Sequence, residues 1–286
     1  MTDPDDGDER SLARLVVRTP TAPGTQTVPT FDRLAAEAPL EVRIGRLPLA
    51  VLMRTPGDDI DLVRGFLLTE GIVHTPDEVA AVRHCDRVEP GDAPDNVVVA
   101  TLSQDAAFDP VRFRRNTYAS SSCGICGKAS IERALDTAPP LPPPAGPVTD
   151  PATVAAAFAA MRRAQTLFEH TGGTHAAALA RTGGDLLCVR EDVGRHNAVD
   201  KVIGATVARP GPTASPTMLL VSGRISFEVV QKALAARIPV VAGISAATSL
   251  AADLAQRAGI TLAGFARGNR LTIYTHPARI EAVTAG

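Results

Sequence analysis

Tryptophan is absent from the 286 residues, and two tyrosines and eight phenylalanines are the only other large aromatics. Few flat side chains are therefore on hand to stack single-stranded nucleic acid. An excess of either charge is also missing. Lys and Arg number 29 against 31 Asp and Glu, a net charge near −2, so no global positive field collects a polyanion. Together these shortages argue against nucleic-acid binding. No uninterrupted apolar run approaches the roughly 18 residues that would span a bilayer, and no membrane segment is expected. The start, Met1-Thr2-Asp3-Pro4-Asp5-Asp6-Gly7-Asp8-Glu9-Arg10, is acidic where a secretory leader carries a positive region and an apolar core. Residues 1–11 read as a disordered tail, and the expected location is the cytoplasm. Cysteine is scarce as well: Cys85, Cys123, Cys126 and Cys188 are too few for a disulfide scaffold in a chain this long, so reduced thiols are expected.

What is present divides the chain in two. Residues 12–136 read as an α+β unit. Strands are predicted over Leu12 to Arg18, Leu40 to Ile44, Leu49 to Met53, Val79 to Val88 and Val97 to Leu102. Asp58 is placed to cap a helix whose stripe is Leu62, Val63, Phe66 and Leu67, with Gly71 as its stop. Residues 137–151 hold seven prolines in fifteen, incompatible with helix or central strand, and are predicted to be the interdomain linker.

Residues 152–286 alternate differently. Ala152 to Glu169 reads as one helix stopped by Gly172-Gly173, and Ala176 to Ala180 and Leu186 to Arg190 as an antiparallel hairpin. Three helix–strand units follow: Gly194 to Ala208 with Met218 to Val221, Ile225 to Ala236 with Val240 to Ile244, and Thr248 to Ala258 with Ile260 to Phe265. Runs such as Met218-Leu219-Leu220-Val221 lack the alternation of a half-exposed strand, which predicts helices on both faces of a mostly parallel sheet, a three-layer α/β sandwich.

The densest chemical signal is Ser122-Cys123-Gly124-Ile125-Cys126-Gly127-Lys128, two thiols three residues apart between glycines. Structural zinc needs four ligands, and only one such pair exists, with His74, His84, His170, His175, His196 and His276 scattered. A zinc-binding accessory protein using Cys123 and Cys126 as ligands stays open on this basis. A thioredoxin-like dithiol usually follows a strand of a βαβ unit, whereas the helix expected over Ala129 to Leu135 precedes the α/β pattern. Zinc deaminases carry His-x-Glu before Pro-Cys-x-x-Cys, and no His-x-Glu occurs. Sulfur transfer suits the flanks, because Lys128 and helix N-terminal amides lower a thiol pKa and a low-pKa thiolate accepts sulfane sulfur as a persulfide. Cys85 and Cys188, in apolar runs, read as packing residues.

Three strand-to-helix junctions share a Gly/Ser/Arg character: Glu191-Asp192-Val193-Gly194-Arg195-His196-Asn197, Ser222-Gly223-Arg224-Ile225-Ser226, and Ser245-Ala246-Ala247-Thr248-Ser249. In an open α/β sheet such junctions meet at the carboxyl ends of the strands, where ligands bind and helix amides meet anions. Arg195 and Arg224 would add charge-assisted bonds to a phosphate. Ordinary helix capping accounts for each junction taken singly. Phe265-Ala266-Arg267-Gly268-Asn269-Arg270 reads by spacing alone first as a solvated hairpin, with a cradle for a phosphate and a purine edge as the alternative.

Read together, Ser122 to Gly127, Glu191-Asp192-Val193-Gly194-Arg195-His196-Asn197-Ala198-Val199-Asp200-Lys201, Ser222-Gly223-Arg224, and Phe265 to Arg270 with Thr272-Ile273-Tyr274 resemble the FdhD sulfur carrier proteins required for formate dehydrogenase. The resemblance runs from about Val42 to Ile280. It implies a cytidine-deaminase-like fold for the C-terminal domain, without the zinc motif. It further implies a sulfurtransferase-type carrier that takes sulfur from a cysteine desulfurase as a cysteine persulfide. The sulfur then passes to the molybdenum cofactor, bis(molybdopterin guanine dinucleotide), for formate dehydrogenase. On this resemblance Cys123 is the persulfide carrier, Cys126 its partner, Phe265, Ala266, Arg267, Gly268, Asn269 and Arg270 form the cofactor segment, and a homodimer is expected.

Overall fold

A computed structural model describes residues 8–18, 28–85, 94–110, 131–207, 217–267 and 270–281. The first unit begins with an antiparallel ribbon, β1 (Ser11–Arg18) against β2 (Val28–Ala35). A four-stranded sheet follows, built from β3 (Ala38–Ile44), β4 (Leu47–Arg54), β5 (Val79–His84) and β6 (Val97–Leu102) in the order β4-β3-β6-β5. The predicted strands appear within a few residues of their expected bounds. Of the Val79 to Val88 expectation, residues 86–88 lie outside the described residues. β2 is an addition, a strand that opens Val28-Pro29, its proline lying at the strand's start in a two-stranded ribbon, where proline is tolerated.

Helix α1 (Asp59–Thr69) covers this sheet, and Gly71 at φ 66° follows it as expected. Asp58 occupies the cap position but makes no side-chain capping bond. Its carboxylate instead meets Arg190 Nε at 3.1 Å, a charge partner contributed by the other half of the chain. Buried Arg54 grips Asp59 through two bonds of 2.8 and 3.0 Å, fixing the end of β4 to the start of α1.

After α2 (Ile131–Thr137), the Pro-rich segment lies along the C-terminal half rather than bridging open space. Leu141 donates to the Ala258 carbonyl, Arg279 to the Pro142 carbonyl, and Arg237 to the Pro139 carbonyl. Asp150 then caps α3 (Pro151–Ala164), accepting from Ala152 N at 2.8 Å and Thr153 N at 2.9 Å.

The large sheet has the order β12-β11-β10-β9-β7-β8. Its strands are β7 (His175–Ala180), β8 (Leu186–Asp192), β9 (Met218–Val221), β10 (Val240–Gly243), β11 (Thr261–Arg267) and β12 (Arg270–Thr275). One face packs on α3, where Val154, Ala157, Phe158 and Met161 meet Ala176, Ala178, Leu220 and Ala242. The opposite face offers Ala177, Leu179, Leu219 and Val241 to α5 (Arg195–Val207), α6 (Phe227–Ala235) and α7 (Ser249–Ala258). The three layers are thus present. The expected mostly parallel sheet is mixed: β9, β10 and β11 run parallel, while β7 is antiparallel to both β8 and β9, and β12 to β11. The β7–β8 and β11–β12 hairpins necessarily reverse direction.

The helix expected over Ala152 to Glu169 is two. It breaks at Gln165, and α4 (Thr166–Thr171) restarts because the Glu191 carboxylate accepts from Leu167 N (2.9 Å) and Phe168 N (2.7 Å). A distant strand end caps a helix that local sequence would have continued.

One apolar core crosses both halves of the chain. Leu40, Val42, Leu62 and Leu67 belong to the same cluster as Val199, Val202, Ile203 and Leu234. A fully buried leucine of this kind contributes about 1.5–3 kcal/mol. Among the described residues, no helix is long and apolar enough to cross a membrane.

Candidate functional site

The carboxyl ends of β8, β9, β10 and β11 and the amino end of β7 share one edge of the large sheet, following from the register His175↔Asp192, Ala177↔Val221 and Gly243↔Val221. The three junctions therefore meet as their spacing predicts. The second and third are tied directly: Ile225 N donates to the Ala246 carbonyl and Thr248 N to the Ile225 carbonyl, each at 3.0 Å.

Capping explains part of these junctions. Thr248 caps α7, accepting from Ala251 N at 3.3 Å. Ser222 Oγ accepts from Ala176 N at 2.9 Å and holds β7 to the edge. Ser226 stands at the cap position of α6 without capping it, its Oγ lying 3.3 Å from His196 Nε2.

The Glu191 to Lys201 segment is mostly turned inward. Asp192, fully buried, accepts from Thr55 N (3.1 Å), Gly194 N (2.8 Å) and Asn197 Nδ2 (3.0 Å), and pairs with Lys201 Nζ at 2.8 Å. Lys201 also donates to the Thr55 carbonyl, and Asn197 to the Met53 carbonyl at 2.7 Å. Asp200 binds Lys232 and Thr69 in a second buried network. Burial opposes the Lys232 charge, but Asp200 and Glu70 outweigh it and hold the ammonium above its usual range. These residues lock β4 and α1 onto the large sheet.

Two residues of the same segment belong to the edge itself. Arg195 Nε is shielded from solvent and makes no hydrogen bond among the described residues. His196 is pushed down to about 4 by burial and by the nearby charges of Lys232 and Arg195. His175 is lowered in the same direction by burial and by Arg195. His175 and Arg195 flank Gly223, where a Cβ would stand 3.5 Å from His175 Nδ1 and 3.9 Å from Arg195 Cδ. At neutral pH the His196 imidazole is uncharged beside a guanidinium with an unused donor, a setting that suits an anion. Arg224 is exposed at the same junction. In the sequence His175 stands out only as one of six scattered histidines, whereas His196 lies in the first junction; the register His175↔Asp192 brings His175 to the same edge.

The segment from Phe265 also ends on this edge. Phe265 sits at φ 53°, in the left-handed region, a position that costs a bulky L-residue about 1–3 kcal/mol and persists only where surroundings impose it. They do: Phe265 N donates to the Ser245 carbonyl at 3.1 Å, and the β11–β12 register shifts between Gly264 and Arg267. Gly264 fits where any Cβ would stand 2.9 Å from the Ser245 oxygen and 3.0 Å from Tyr274 Cε2. Ala266 is buried in the core shared with α3. Arg267 closes β11 by pairing with Arg270, whose guanidinium carbon lies 5.2 Å from the centre of the Phe265 ring. Gly268 and Asn269 lie outside the described residues, as do Cys123, Cys126 and Lys128. Cys188 Sγ contacts the Val202 carbonyl at 3.6 Å and packs against the core.

Comparison with known proteins covers the chain almost end to end. The family model described as FdhD/NarQ family matches residues 35–281. Proteins named sulfur carrier protein FdhD from Mycobacterium bovis and Mycobacterium tuberculosis are each 47% identical over 259 residues, covering 89% of this chain and 94% of theirs. The one from Streptomyces avermitilis is 45% identical over 257 residues, covering 87% and 89%. A crystal structure from Desulfotalea psychrophila, provisionally described as a formate dehydrogenase accessory protein, superposes with a TM-score of 0.72 at 22% identity over 95% of this chain and 99% of that one, a likeness of fold. With a family model spanning both the cysteine pair and the ligand edge, and relatives this similar over nearly their whole length, the chain belongs to the FdhD/NarQ family.

Proposed function

We propose that this chain is a sulfur carrier for formate dehydrogenase, accepting sulfane sulfur from a cysteine desulfurase on Cys123 and passing it to bis(molybdopterin guanine dinucleotide) bound transiently as substrate. The carrying observation is the extended identity to proteins named sulfur carrier protein FdhD, which runs through both halves of the chain. In the loading step the Cys123 thiolate attacks the outer sulfur of the donor's persulfide. A new S–S bond forms on Cys123 as the donor's S–S bond breaks, and the desulfurase thiolate leaves, so the step needs no outside oxidant or reductant. Cys126 assists transfer or releases the cargo: its thiolate attacks the inner sulfur of the Cys123 persulfide, and the Cys123–Cys126 disulfide forms as the persulfide S–S bond breaks. The sulfur leaves as sulfide for the molybdenum, and a cellular dithiol then reduces the disulfide.

The edge of the large sheet supports the second half of the reading. A guanine dinucleotide carries phosphates and a purine, and the edge offers the shielded Arg195 Nε, helix amino ends, and Phe265 and Arg270 at the β11–β12 end. The chain is further read as a homodimer. Five of the eight large apolar side chains exposed among the described residues, Leu12, Leu15, Val17, Val28 and Leu34, lie on the β1–β2 ribbon, and a lone two-stranded ribbon gains from being covered.

The test is intact-protein mass spectrometry after incubation with cysteine desulfurase and cysteine. A gain of about 32 Da that disappears in Cys123→Ala is expected, with loss of formate dehydrogenase maturation in the same variant. Normal maturation by Cys123→Ala would reject the assignment. Stoichiometric zinc that blocks alkylation of both thiols would replace it with the metal-binding reading.

A further inference from the structure

Phe265 combines two features. Its backbone is held in the left-handed region by the Ser245 carbonyl and by the close fit of Gly264 beneath Ser245 and Tyr274. Its ring, only partly buried, is met by the guanidinium of the exposed Arg270 at 5.2 Å. Glycine or asparagine would occupy this backbone position at lower cost, so the strain is spent on keeping a partly open aromatic ring at the turn that ends β11. A bound flat group cannot sit between ring and guanidinium as they stand. Two successive carbon contacts of about 3.5–4.0 Å would need roughly 7–8 Å.

We propose that the Phe265 ring is a stacking platform for the purine of the nucleotide ligand, that Arg270 covers it in the free protein, and that the guanidinium swings off when the base lands. This rests on the guanine-nucleotide reading above and adds the residue that reads the base and the one that guards it. The exchange favours the base. A nucleobase on an aromatic side chain is worth about 5- to 150-fold in affinity, against about 2- to 5-fold for an exposed guanidinium on the same ring.

Three probes separate the parts: guanosine diphosphate, guanosine without phosphates, and pyrophosphate without a base, each titrated by calorimetry or NMR. Phe265→Leu is expected to weaken guanosine diphosphate by about tenfold or more while leaving pyrophosphate unchanged, and Phe265→Tyr to keep wild-type affinity. Arg270→Ala is expected to tighten guanosine by about 2- to 5-fold. Equal guanosine diphosphate affinity in wild type and Phe265→Leu overturns the platform and leaves the sulfur carrier standing. Weaker guanosine binding by Arg270→Ala overturns the displaced cover. Failure of the wild type to bind guanosine diphosphate removes the nucleotide reading and the platform with it. Should Phe265→Leu not fold, the Arg270→Ala titration and the ring-current shift of guanine H8 on the wild-type protein decide: an upfield shift supports stacking and its absence rejects it.

Discussion

Lys201 Nζ stands 2.8 Å from the Asp192 carboxylate with both side chains essentially out of solvent, at 1% and 0% exposure. The pair also holds Thr55, whose amide donates to Asp192 and whose carbonyl accepts from Lys201. The end of β4 is thereby hooked to the first junction of the ligand edge. Removing one member of a buried pair leaves an uncompensated charge, which typically costs about 3–5 kcal/mol. Asp192→Ala is therefore expected to lose most of that in urea unfolding, whereas the double variant Asp192→Leu, Lys201→Met should be milder than the two single losses added. A loss under about 1 kcal/mol for Asp192→Ala would show that the hook carries little stability.

Helices α1 and α5 cross at glycines. A Cβ on Gly65 would stand 1.9 Å from the Asp200 carbonyl oxygen, and one on Gly204 1.8 Å from that of Asp61. Because the obstacle is backbone, the helices must separate rather than repack. Gly65→Ala and Gly204→Ala should each cost at least the about 1–3 kcal/mol usual for overpacking. Gly183→Ala, with nothing within 4 Å, is the control expected to change little. Chemical denaturation of the three variants compares them directly.

His196 sets a pH dependence. Its folded pKa, about 4, lies below the ordinary value near 6.5 because of burial first and then Lys232 and Arg195, partly offset by Glu228 and Glu70. Above the ordinary value, folded and unfolded chains are both neutral there. As pH falls through the window, the unfolded chain takes up a proton that the folded chain refuses, so stability drops until about pH 4. His196→Gln should flatten this part of the stability profile. Urea midpoints at pH 7 and pH 5 measure it, and an equal drop in both proteins would assign the slope to other groups.

The β1–β2 ribbon carries Leu15 and Val17 at 61% and 65% exposure. Placing Glu at both positions should convert a dimer to a monomer in sedimentation experiments while leaving the far-UV circular dichroism of the folded chain unchanged, since neither side chain belongs to the core. A wild-type protein that sediments as a monomer would remove the dimer from the reading.

Much of the α/β half was legible because its signals are local. Met218 to Val221 and Val240 to Gly243 are apolar at every position, and both faces are indeed covered. Gly71 and Gly172 mark helix ends by their own backbone conformation. The meeting of three junctions at one edge also followed from alternation of strand and helix. The split at Gln165 and the diversion of Asp58 to Arg190 were not legible, since each depends on a partner more than twenty residues away.

The amino-acid order alone settled where most strands and helices fall, which glycines end several of them, and that two thiols lie three residues apart, because backbone preference and short spacing act within a few residues. Tertiary structure alone decided that most of the Glu191 to Lys201 side chains point into a buried lock on the N-terminal half, and that His175 joins Arg195 and His196 on one edge. It also decided that Phe265 is held in a left-handed turn beside Arg270. Charge pairing, shielding and ring contact depend on distances between residues far apart in the chain, and only the folded chain sets those distances.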